Sequence, residues 1–286
     1  MLQEIMVNSS CTLYELLSKE TDLGHFQILK TIDNRSVKVN RERVGEDVTV
    51  NPGDVVHVYV KDREKDAVEI AYQDKNILIV IKPQGIEVQG ENSLQSRLSD
   101  QLEDLQPVAV HRLDRNTFGL VVFALNRQTE CEMLKVFKER DIDKKYLTLV
   151  SGTPKTGGNV VLKAFLFKDA KKGQVYISPV PKQGYLPIET HYKQIKKSGE
   201  LNLLEVKLVT GRTHQIRAHL AYEKLPILGD GKYGINAINK KYKVSKQLLV
   251  CYKIAFHFEQ KSPLYYLDNK TFTYDVDLFD FISIPR

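Results

Sequence analysis

Residues 110–120 read Val-His-Arg-Leu-Asp-Arg-Asn-Thr-Phe-Gly-Leu and lead directly into the apolar run 119–125. One carboxylate, Asp114, lies between Arg112 and Arg115. A polar stretch with a glycine before an apolar run predicts a loop that enters a β-strand. In such a loop a cation would keep Asp114 ionised and oriented, as a carboxylate nucleophile requires. For an isolated Arg-x-Asp-Arg pattern, a solvated salt-bridge loop is the more common alternative.

A second polar stretch, residues 210–220, reads Thr-Gly-Arg-Thr-His-Gln-Ile-Arg-Ala-His-Leu. Thr213 is predicted to cap a helix over 213–222, whose start suits an anion. Its first turns present these side chains: Arg212, His214, Gln215 and Arg217. His214 and His219 are five residues apart rather than four, so the spacing argues against a zinc site.

Two further segments contain polar residues that could belong to a functional site. Residues 144–152 begin Lys144-Lys145-Tyr146 and alternate as a strand does. Residues 225–234 contain Gly-Asp-Gly-Lys but lack the spacing of a phosphate-binding loop, which argues against nucleotide hydrolysis.

β-Rich segments dominate the chain beyond residue 68. Strands are predicted over 76–82, 119–125, 145–150, 160–167, 173–177, 188–195, 201–209 and 248–258. Only two helices are predicted there, over 213–222 and over 128–140, the latter with an apolar face of Cys131, Leu134 and Phe137. Many strands with few helices between them predict an α+β fold with a long, mostly antiparallel mixed sheet.

The first sixty residues read as a separate small α+β unit. Thr12 and Glu15 form a capping-box pattern, and a second helix is predicted over 24–32. A strand is predicted over 37–40, and a Pro-Gly turn at 52–53 predicts a hairpin between two β-branched runs. We therefore expect a small domain over 1–60, a charged linker over 61–68 and a larger domain over 69–286.

Composition excludes several classes of protein. The 286 residues are 42% hydrophobic and 27% charged, which argues against a disordered or fibrous chain. No apolar run approaches the length of a membrane span, and the N-terminus has no secretory pattern, so we expect a cytoplasmic protein. The three isolated cysteines are expected to be reduced and partly buried. A net charge of +6 allows a polyanionic partner without requiring one.

The N-terminal unit is similar to the small RNA-binding domain first named in a ribosomal small-subunit protein, in which a basic helix pair faces RNA. The resemblance rests on Leu13, Leu16, Ile28, Val37, Val39, Asn40, Gly53, Asp54 and Val56. The second helix carries His25 and Lys30 but fewer cations than an RNA-facing helix usually has. A domain kept only for packing is therefore the alternative.

The polar segments, in this order and spacing, resemble the RluA-like family of RNA pseudouridine synthases. The family patterns are H-R-L-D-R-x-T-S-G-L, K-x-Y-x-x-x-V-x-G, and G-R-T-H-Q-I-R-x-H-L followed by P-I-x-G-D-x-x-Y-G. Residues 82–85, Lys-Pro-Gln-Gly, also match the family's K-P-x-G stretch, so the resemblance spans 76–234. Phe118 departs from the pattern, because the family often has Ser or Thr there, and the loop shape is expected to differ at this point.

The resemblance implies the pseudouridine synthase fold and isomerisation of uridine in structured RNA, ribosomal or transfer RNA, without a cofactor or a metal. It implies that Asp114 is the essential carboxylate, as nucleophile or as base at the sugar, with Arg217 as its counter-ion. Tyr146 would stack on a flipped uracil, and Arg112 would fill the vacated space. The remaining groups are expected to bind RNA: Arg115, Lys144, Lys145, Arg212, His214 and Gln215. The chain is expected to be a monomer.

Two other functions use the same residues. An RNA-binding or ribosome-assembly factor could share the fold, but a pure binding module has no need for a carboxylate beside an anionic backbone. An RNA N-glycosidase would use Asp114 in the same first step, and release of free uracil would identify it. The presence of Asp114, Tyr146 and Arg217 together favours the synthase.

Overall fold

The structure is a computed structural model that describes residues 2–21, 23, 25–59, 67–102, 105–139, 141–155 and 158–283. The chain divides into two compact units. The first comprises Met1–Val68 with Arg97–Gln106, and the second comprises Glu69–Ser96 with Pro107–Arg286. Most of the predicted linker, residues 61–66, lies outside the described residues.

Strands and two helices build the first unit. The elements are β1 Leu2–Met6, β2 Cys11–Thr12, α1 Leu13–Glu20, α2 His25–Asp33, β3 Val37–Val39, β4 Glu42–Val44, β5 Thr49–Val50 and β6 Val55–Tyr59. A four-stranded sheet has the order β1-β6-β3-β4, and β2 pairs separately with β5. The capping box predicted for α1 is confirmed, because Thr12 and Glu15 exchange side-chain-to-backbone hydrogen bonds.

The hairpin predicted across residues 52–53 is wrong. The turn itself forms, with the Asp54 N–H donating to the Asn51 carbonyl. However, β5 pairs with β2, whereas β6 pairs with β1 and β3. Asp54 also accepts a hydrogen bond from the Asn40 side chain at 2.7 Å, and this bond helps hold β6 beside β3. The Pro-Gly signal therefore gave the chain reversal correctly but not the pairing partner.

A single mixed sheet organises the second unit. Its strands are β7 Glu69–Gln73, β8 Ile77–Lys82, β9 Val108–Ala109, β10 Phe118–Ala124, β11 Ile142–Ser151, β12 Val160–Asp169, β13 Gln174–Ser178, β14 Leu186–Ser198, β15 Leu201–Leu208, β16 Leu249–Phe256 and β17 Thr271–Thr273. The order is β13-β12-β14-β15-β11-β16-β10-β8-β7, with β17 beside β16 and β9 beside β10. Neighbours are antiparallel except for the parallel pair β10 and β16. This confirms the predicted α+β class.

Four described helices follow residue 68, and two of them, Arg127–Glu139 and Gln215–Tyr222, pack against strands of this sheet. The four are α3 Leu94–Gln101, α4 Arg127–Glu139, α5 Gln215–Tyr222 and α6 Asn236–Lys241. Within the described ranges, none is long and apolar enough to cross a membrane.

The apolar face predicted for α4 is only partly right. Its buried residues are Thr129, Met133 and Val136, whereas Leu134 is 46% exposed and Cys131 is also exposed. These buried residues are spaced by four and three positions, which also places them on one face of the helix. This is the face that packs against the sheet. The expectation that every cysteine is partly buried fails at Cys131.

Candidate active site

A cavity of about 300 Å³ in the second unit brings the polar segments together. Eight of the ten predicted site residues line it: Arg112, Asp114, Lys144, Tyr146, Arg212, His214, Gln215 and Arg217. They come from the loop before β10, from β11 and from the start of α5, which are separated in sequence but meet at this cavity. Arg115 and Lys145 are not among the lining residues.

Asp114 is held by an arginine 103 residues further along the chain. Arg217 Nη1 donates to Asp114 Oδ2 at 3.1 Å, and His214 Nε2 lies 3.9 Å from the same oxygen. The Thr117 N–H donates to the Asp114 carbonyl and closes the turn that carries the side chain. The predicted counter-ion is therefore the residue in contact, and a charge-assisted hydrogen bond orients the carboxylate towards the cavity.

A second carboxylate, Asp230, fixes the other side of the Arg217 guanidinium. Arg217 donates to its two oxygens through Nε at 2.7 Å and Nη2 at 3.1 Å. Asp230 is buried, and the N–H groups of Lys232 and Tyr233 also donate to it. Burial favours the protonated form, but the hydrogen bonds and the Arg217 charge outweigh it and lower the pKa of Asp230. Sequence reasoning missed Asp230, although its position in the P-I-x-G-D pattern was a usable signal.

The start of α5 is built differently from the prediction. Thr213 does not cap the helix; the N-cap is His214, in a left-handed conformation with φ 53° and no side-chain cap bond. Gln215 takes over part of that role, because its Oε1 accepts from the Arg212 N–H and the Thr210 hydroxyl. Its Nε2 donates to the Glu189 carbonyl and to Thr190. With its amide fully used inside the protein, Gln215 holds the loop in shape, and this does not support its predicted role as an RNA ligand.

His214 is positioned by Tyr233. Its Nδ1 lies 2.9 Å from the Tyr233 hydroxyl, and the rings meet edge to face. The Arg217 guanidinium lies 5.3 Å from the centroid of the same tyrosine ring, a cation–π contact. Burial lowers the pKa of His214 against the opposing effect of Asp114, so the imidazole tends to be neutral beside the carboxylate.

Tyr146 and Lys144 form the β11 wall of the cavity. Tyr146 is buried, and burial raises the pKa of its phenol well above the ordinary value, so the hydroxyl stays protonated. Lys144 Nζ lies 5.0 Å from the centroid of the Phe137 ring, and burial lowers its pKa. Lys144 is therefore a lining residue of the cavity.

His111 is a further cavity residue that the sequence argument did not single out. Its Nε2 accepts a hydrogen bond from the Val122 N–H at 3.0 Å, and its ring stacks on Phe137 with 4.7 Å between centroids. Burial is the largest effect on its pKa, which is lowered well below the ordinary value. The ring is therefore a neutral tautomer with its proton on Nδ1, and it braces the loop against β10.

Lys82 supports the loop that carries Asp114. It is fully buried, and its ammonium donates to the carbonyls of Pro83, Ile86 and Arg115 at 2.8–2.9 Å. Burial lowers its pKa to about 8. Since one acceptor belongs to Arg115, the Lys-Pro-Gln-Gly segment holds the residue next to Asp114 in place.

The two predicted residues outside the cavity make other contacts. Arg115 is exposed and donates from Nε to the Gly85 carbonyl at 2.9 Å. Lys145 Nζ forms an ion pair with Glu205 at 3.0 Å. Arg112 and Arg212 are exposed at the cavity, as a contact with RNA phosphates requires.

Phe118 does not alter the cavity. It is buried in the core with Leu149 and Leu228, and its ring lies 5.5 Å from that of Phe281. Phe118 begins β10 and is not among the cavity residues. The Phe118 side chain, at the position where the family often has Ser or Thr, is therefore accommodated in the core.

Comparisons with known proteins show the family of this chain. The family profile described as RNA pseudouridylate synthase matches residues 76–222, which is more than half of the chain. The chain belongs to this family. An uncharacterized RNA pseudouridine synthase of Mycoplasma capricolum is 32% identical over 91% of this chain and 92% of its own length. Ribosomal large subunit pseudouridine synthase C of Vibrio parahaemolyticus is 32% identical over 74% of this chain and 73% of its own length.

A solved structure shares the pseudouridylate synthase fold. Human RNA Pseudouridylate Synthase Domain Containing 4 superposes with a TM-score of 0.60 at 20% identity, covering 76% of this chain and 95% of that one. The matched family segment includes Asp114, Tyr146 and Arg217 but ends before Asp230. The chain is thus an RNA pseudouridylate synthase by family. Asp230, which fixes Arg217, lies beyond the matched segment.

Proposed function

We propose that this chain converts uridine to pseudouridine in ribosomal RNA, with Asp114 as the essential carboxylate. The hydrogen bond between Arg217 Nη1 and Asp114 Oδ2 in the cavity, at 3.1 Å, carries the proposal most directly. The Vibrio relative is named for the large ribosomal subunit, and this favours ribosomal over transfer RNA as the substrate.

The reaction needs an ionised carboxylate close to the sugar. The C1′–N1 bond of uridine breaks, the uracil turns, a C1′–C5 bond forms, and the proton that leaves C5 is balanced by one gained at N1. Asp114 acts either by attacking the sugar or by removing a proton from it, and both routes require the anion. Arg217 donates a charge-assisted hydrogen bond to the Asp114 carboxylate, which holds it in place for either route.

The uridine reaches the cavity only after it leaves its helix. Unstacking one nucleotide costs about a few kcal/mol, which contacts with the flipped base have to offset. Tyr146 offers an aromatic surface for the uracil, and Arg112, exposed at the cavity, is suited to fill the vacated space. Lys144 and Arg212 add positive charge against phosphate, so binding should weaken as salt rises.

The first unit is proposed to bind RNA as a ribosomal-protein-like domain. Asn40 and Asp54, two of the residues behind that resemblance, are hydrogen-bonded to each other at 2.7 Å, which supports the similarity. Functional boundaries at 1–60, 61–68 and 69–286, a monomeric state and a cytoplasmic location complete the proposal.

Quantitative pseudouridine mapping tests the activity. Purified protein is incubated with transcribed large-subunit ribosomal RNA, and carbodiimide-labelled pseudouridines are read by reverse transcription. Wild type should produce one or a few new sites. Asp114→Asn should abolish them while its RNA affinity stays within about threefold of wild type, since only the charge is lost.

An exposed carboxylate gives the matched control. Asp275→Asn changes the same functional group away from the cavity and should retain full turnover. Full turnover by Asp114→Asn would refute the role of that residue. Release of free uracil without new pseudouridine would instead identify a glycosidase.

A further inference from the structure

One face at one end of the large sheet carries exposed aromatic side chains that do not line the cavity. On β12 and β13 the alternate residues Ala164, Leu166 and Val175 are buried, and they pack with Ala218 of α5. The opposite face shows Phe167 and Tyr176, which are 37% and 36% exposed. α5 therefore covers one face of this end of the sheet, whereas the other presents aromatic rings to solvent.

These aromatic residues form one surface rather than scattered positions. Phe167 and Tyr176 are directly opposite each other in the β12–β13 pairing. The Tyr185 ring stacks on Phe167 with 5.4 Å between centroids and 26° between planes, and Lys182 Nζ lies 5.8 Å from the Tyr185 ring. We call these four residues the aromatic platform. Gly184 has a φ of 79°, a backbone conformation that favours glycine, and it allows the turn that brings this loop beside Phe167.

The charge around the platform is mainly positive. Between residues 158 and 191 the sequence has five lysines and two carboxylates. The lysines are Lys163, Lys168, Lys171, Lys172 and Lys182. One carboxylate, Glu189, is already paired with Lys163 at 3.4 Å and with His191. The net charge of this segment suits a polyanion, whereas an apolar protein interface would not call for it.

We infer that the aromatic platform binds a single-stranded segment of the RNA substrate outside the reacting nucleotide, by stacking bases on Phe167 and Tyr176. Exposed aromatic residues on neighbouring strands, flanked by lysines, are the arrangement by which sheet surfaces bind unpaired bases without reading sequence. Charge complementarity argues for RNA rather than a second copy of this basic chain. The inference rests on the proposed function for its ligand, RNA.

The position of β13 would allow one RNA strand to occupy the cavity and the aromatic platform together. β13 is an edge strand of the sheet, and its Val175 N–H donates to the Tyr233 hydroxyl, which also contacts His214 in the cavity. An RNA strand that leaves the cavity can therefore pass this edge and reach the platform on the other face. The contact would raise affinity for substrates with an unpaired flank and leave the chemical step unchanged.

Photocrosslinking locates the contact. The probe is a 20-nucleotide single-stranded oligouridine containing 4-thiouridine, and tryptic peptides carrying RNA are identified by mass spectrometry. The expected peptides are 164–168 and 173–182, which contain Phe167 and Tyr176. Crosslinks confined to peptides of the cavity would overturn the inference. No turnover is needed, so failure of the proposed function would be seen separately in pseudouridine mapping.

Affinity measurements provide the quantitative test. The double variant Phe167→Ala with Tyr176→Ala should raise the Kd for the oligouridine about tenfold, with kcat on saturating ribosomal RNA unchanged. Tyr176→Phe should stay within twofold, because stacking does not need the hydroxyl. Tyr265→Ala removes a tyrosine that is 42% exposed elsewhere in this unit and serves as the matched control. An unchanged Kd for the double variant, or a change in oligomeric state, would overturn the inference.

Salt dependence separates phosphate binding from stacking. Lys171→Gln with Lys172→Gln should lower the slope of log K against log salt by about one to two, because each lysine removed leaves one phosphate without its cation. Tyr176→Ala should leave the slope unchanged while weakening binding. Equal slopes for the lysine variant and wild type would exclude a phosphate path beside the platform.

Discussion

Replacing Asp230 by asparagine should disable the active site without touching a residue proposed to contact RNA. Asp230 Oδ1 accepts hydrogen bonds from Arg217 Nη2, Lys232 N–H and Tyr233 N–H, and Oδ2 accepts from Arg217 Nε. In the asparagine variant the amide nitrogen would replace Oδ2 and place one donor against another. Arg217 would also lose one of its two carboxylate partners while remaining buried.

The expected cost follows from this arrangement. Removing one partner of a buried ion pair costs about 3–5 kcal/mol, and the remaining contact of Arg217 with Asp114 sets the loss near the lower end, about 3 kcal/mol. A guanidinium free to turn would no longer orient Asp114, so kcat should fall at least about tenfold. Neither effect depends on contact between Asp230 and substrate.

Urea denaturation and single-turnover kinetics measure the two effects. Glu259→Gln provides the control, because its ion pair with Lys261 is highly exposed and such surface pairs add little to stability. A loss of unfolding free energy below about 1 kcal/mol together with unchanged kcat would refute the reasoning that Asp230 positions Arg217.

Three further changes have defined outcomes. His219 is buried and its pKa is lowered by burial to about 4, so between pH 6.5 and 4.5 the unfolded chain binds more protons and unfolding free energy falls by about 2 kcal/mol. His219→Asn should remove that part of the pH dependence, as measured by urea titrations at both pH values. Gly119→Ala should give insoluble protein, because its φ is 103° and a Cβ would lie 2.3 Å from the Cys251 carbonyl oxygen; soluble yield comparable to wild type would contradict this. Phe118→Ala should destabilise by about 3–5 kcal/mol in urea denaturation with the cavity residues unchanged, and retained stability would show that Phe118 is not part of the core.

Much of the second unit could be predicted from the chain because its strands are strongly patterned. In β8 all six residues are buried, and its apolar run gave its position within a residue. Edge and short strands such as β7 and β9 were missed, since they have little apolar pattern and depend on a neighbour for their pairing. The same limit explains the failed hairpin at residues 52–53, where the partner strands lie elsewhere in the chain.

The central contact of the candidate site was predictable from the sequence, but the residues that hold its members in place were not. The pairing of Asp114 with Arg217 followed from the resemblance. Asp230 was not recognised, because its segment was compared with a phosphate loop and matched to the family pattern, but no role was assigned to its carboxylate. Which lysine of the pair Lys144-Lys145 enters the cavity depends on the face of β11, and a register shift beside Tyr146 in its pairing with β16 makes that face hard to read from alternation alone.

The central position of β16 in the large sheet has a consequence for biosynthesis. β16 is among the last strands in sequence, yet it lies between β11 and β10 and joins the part of the sheet that carries α5 to the part that carries the Asp114 loop. During translation the earlier strands emerge first and leave two unpaired edges until residue 256 is made. The nascent chain therefore carries two exposed strand edges from the completion of β11 until β16 emerges, and the enzyme should gain activity only when nearly the whole polypeptide has left the ribosome.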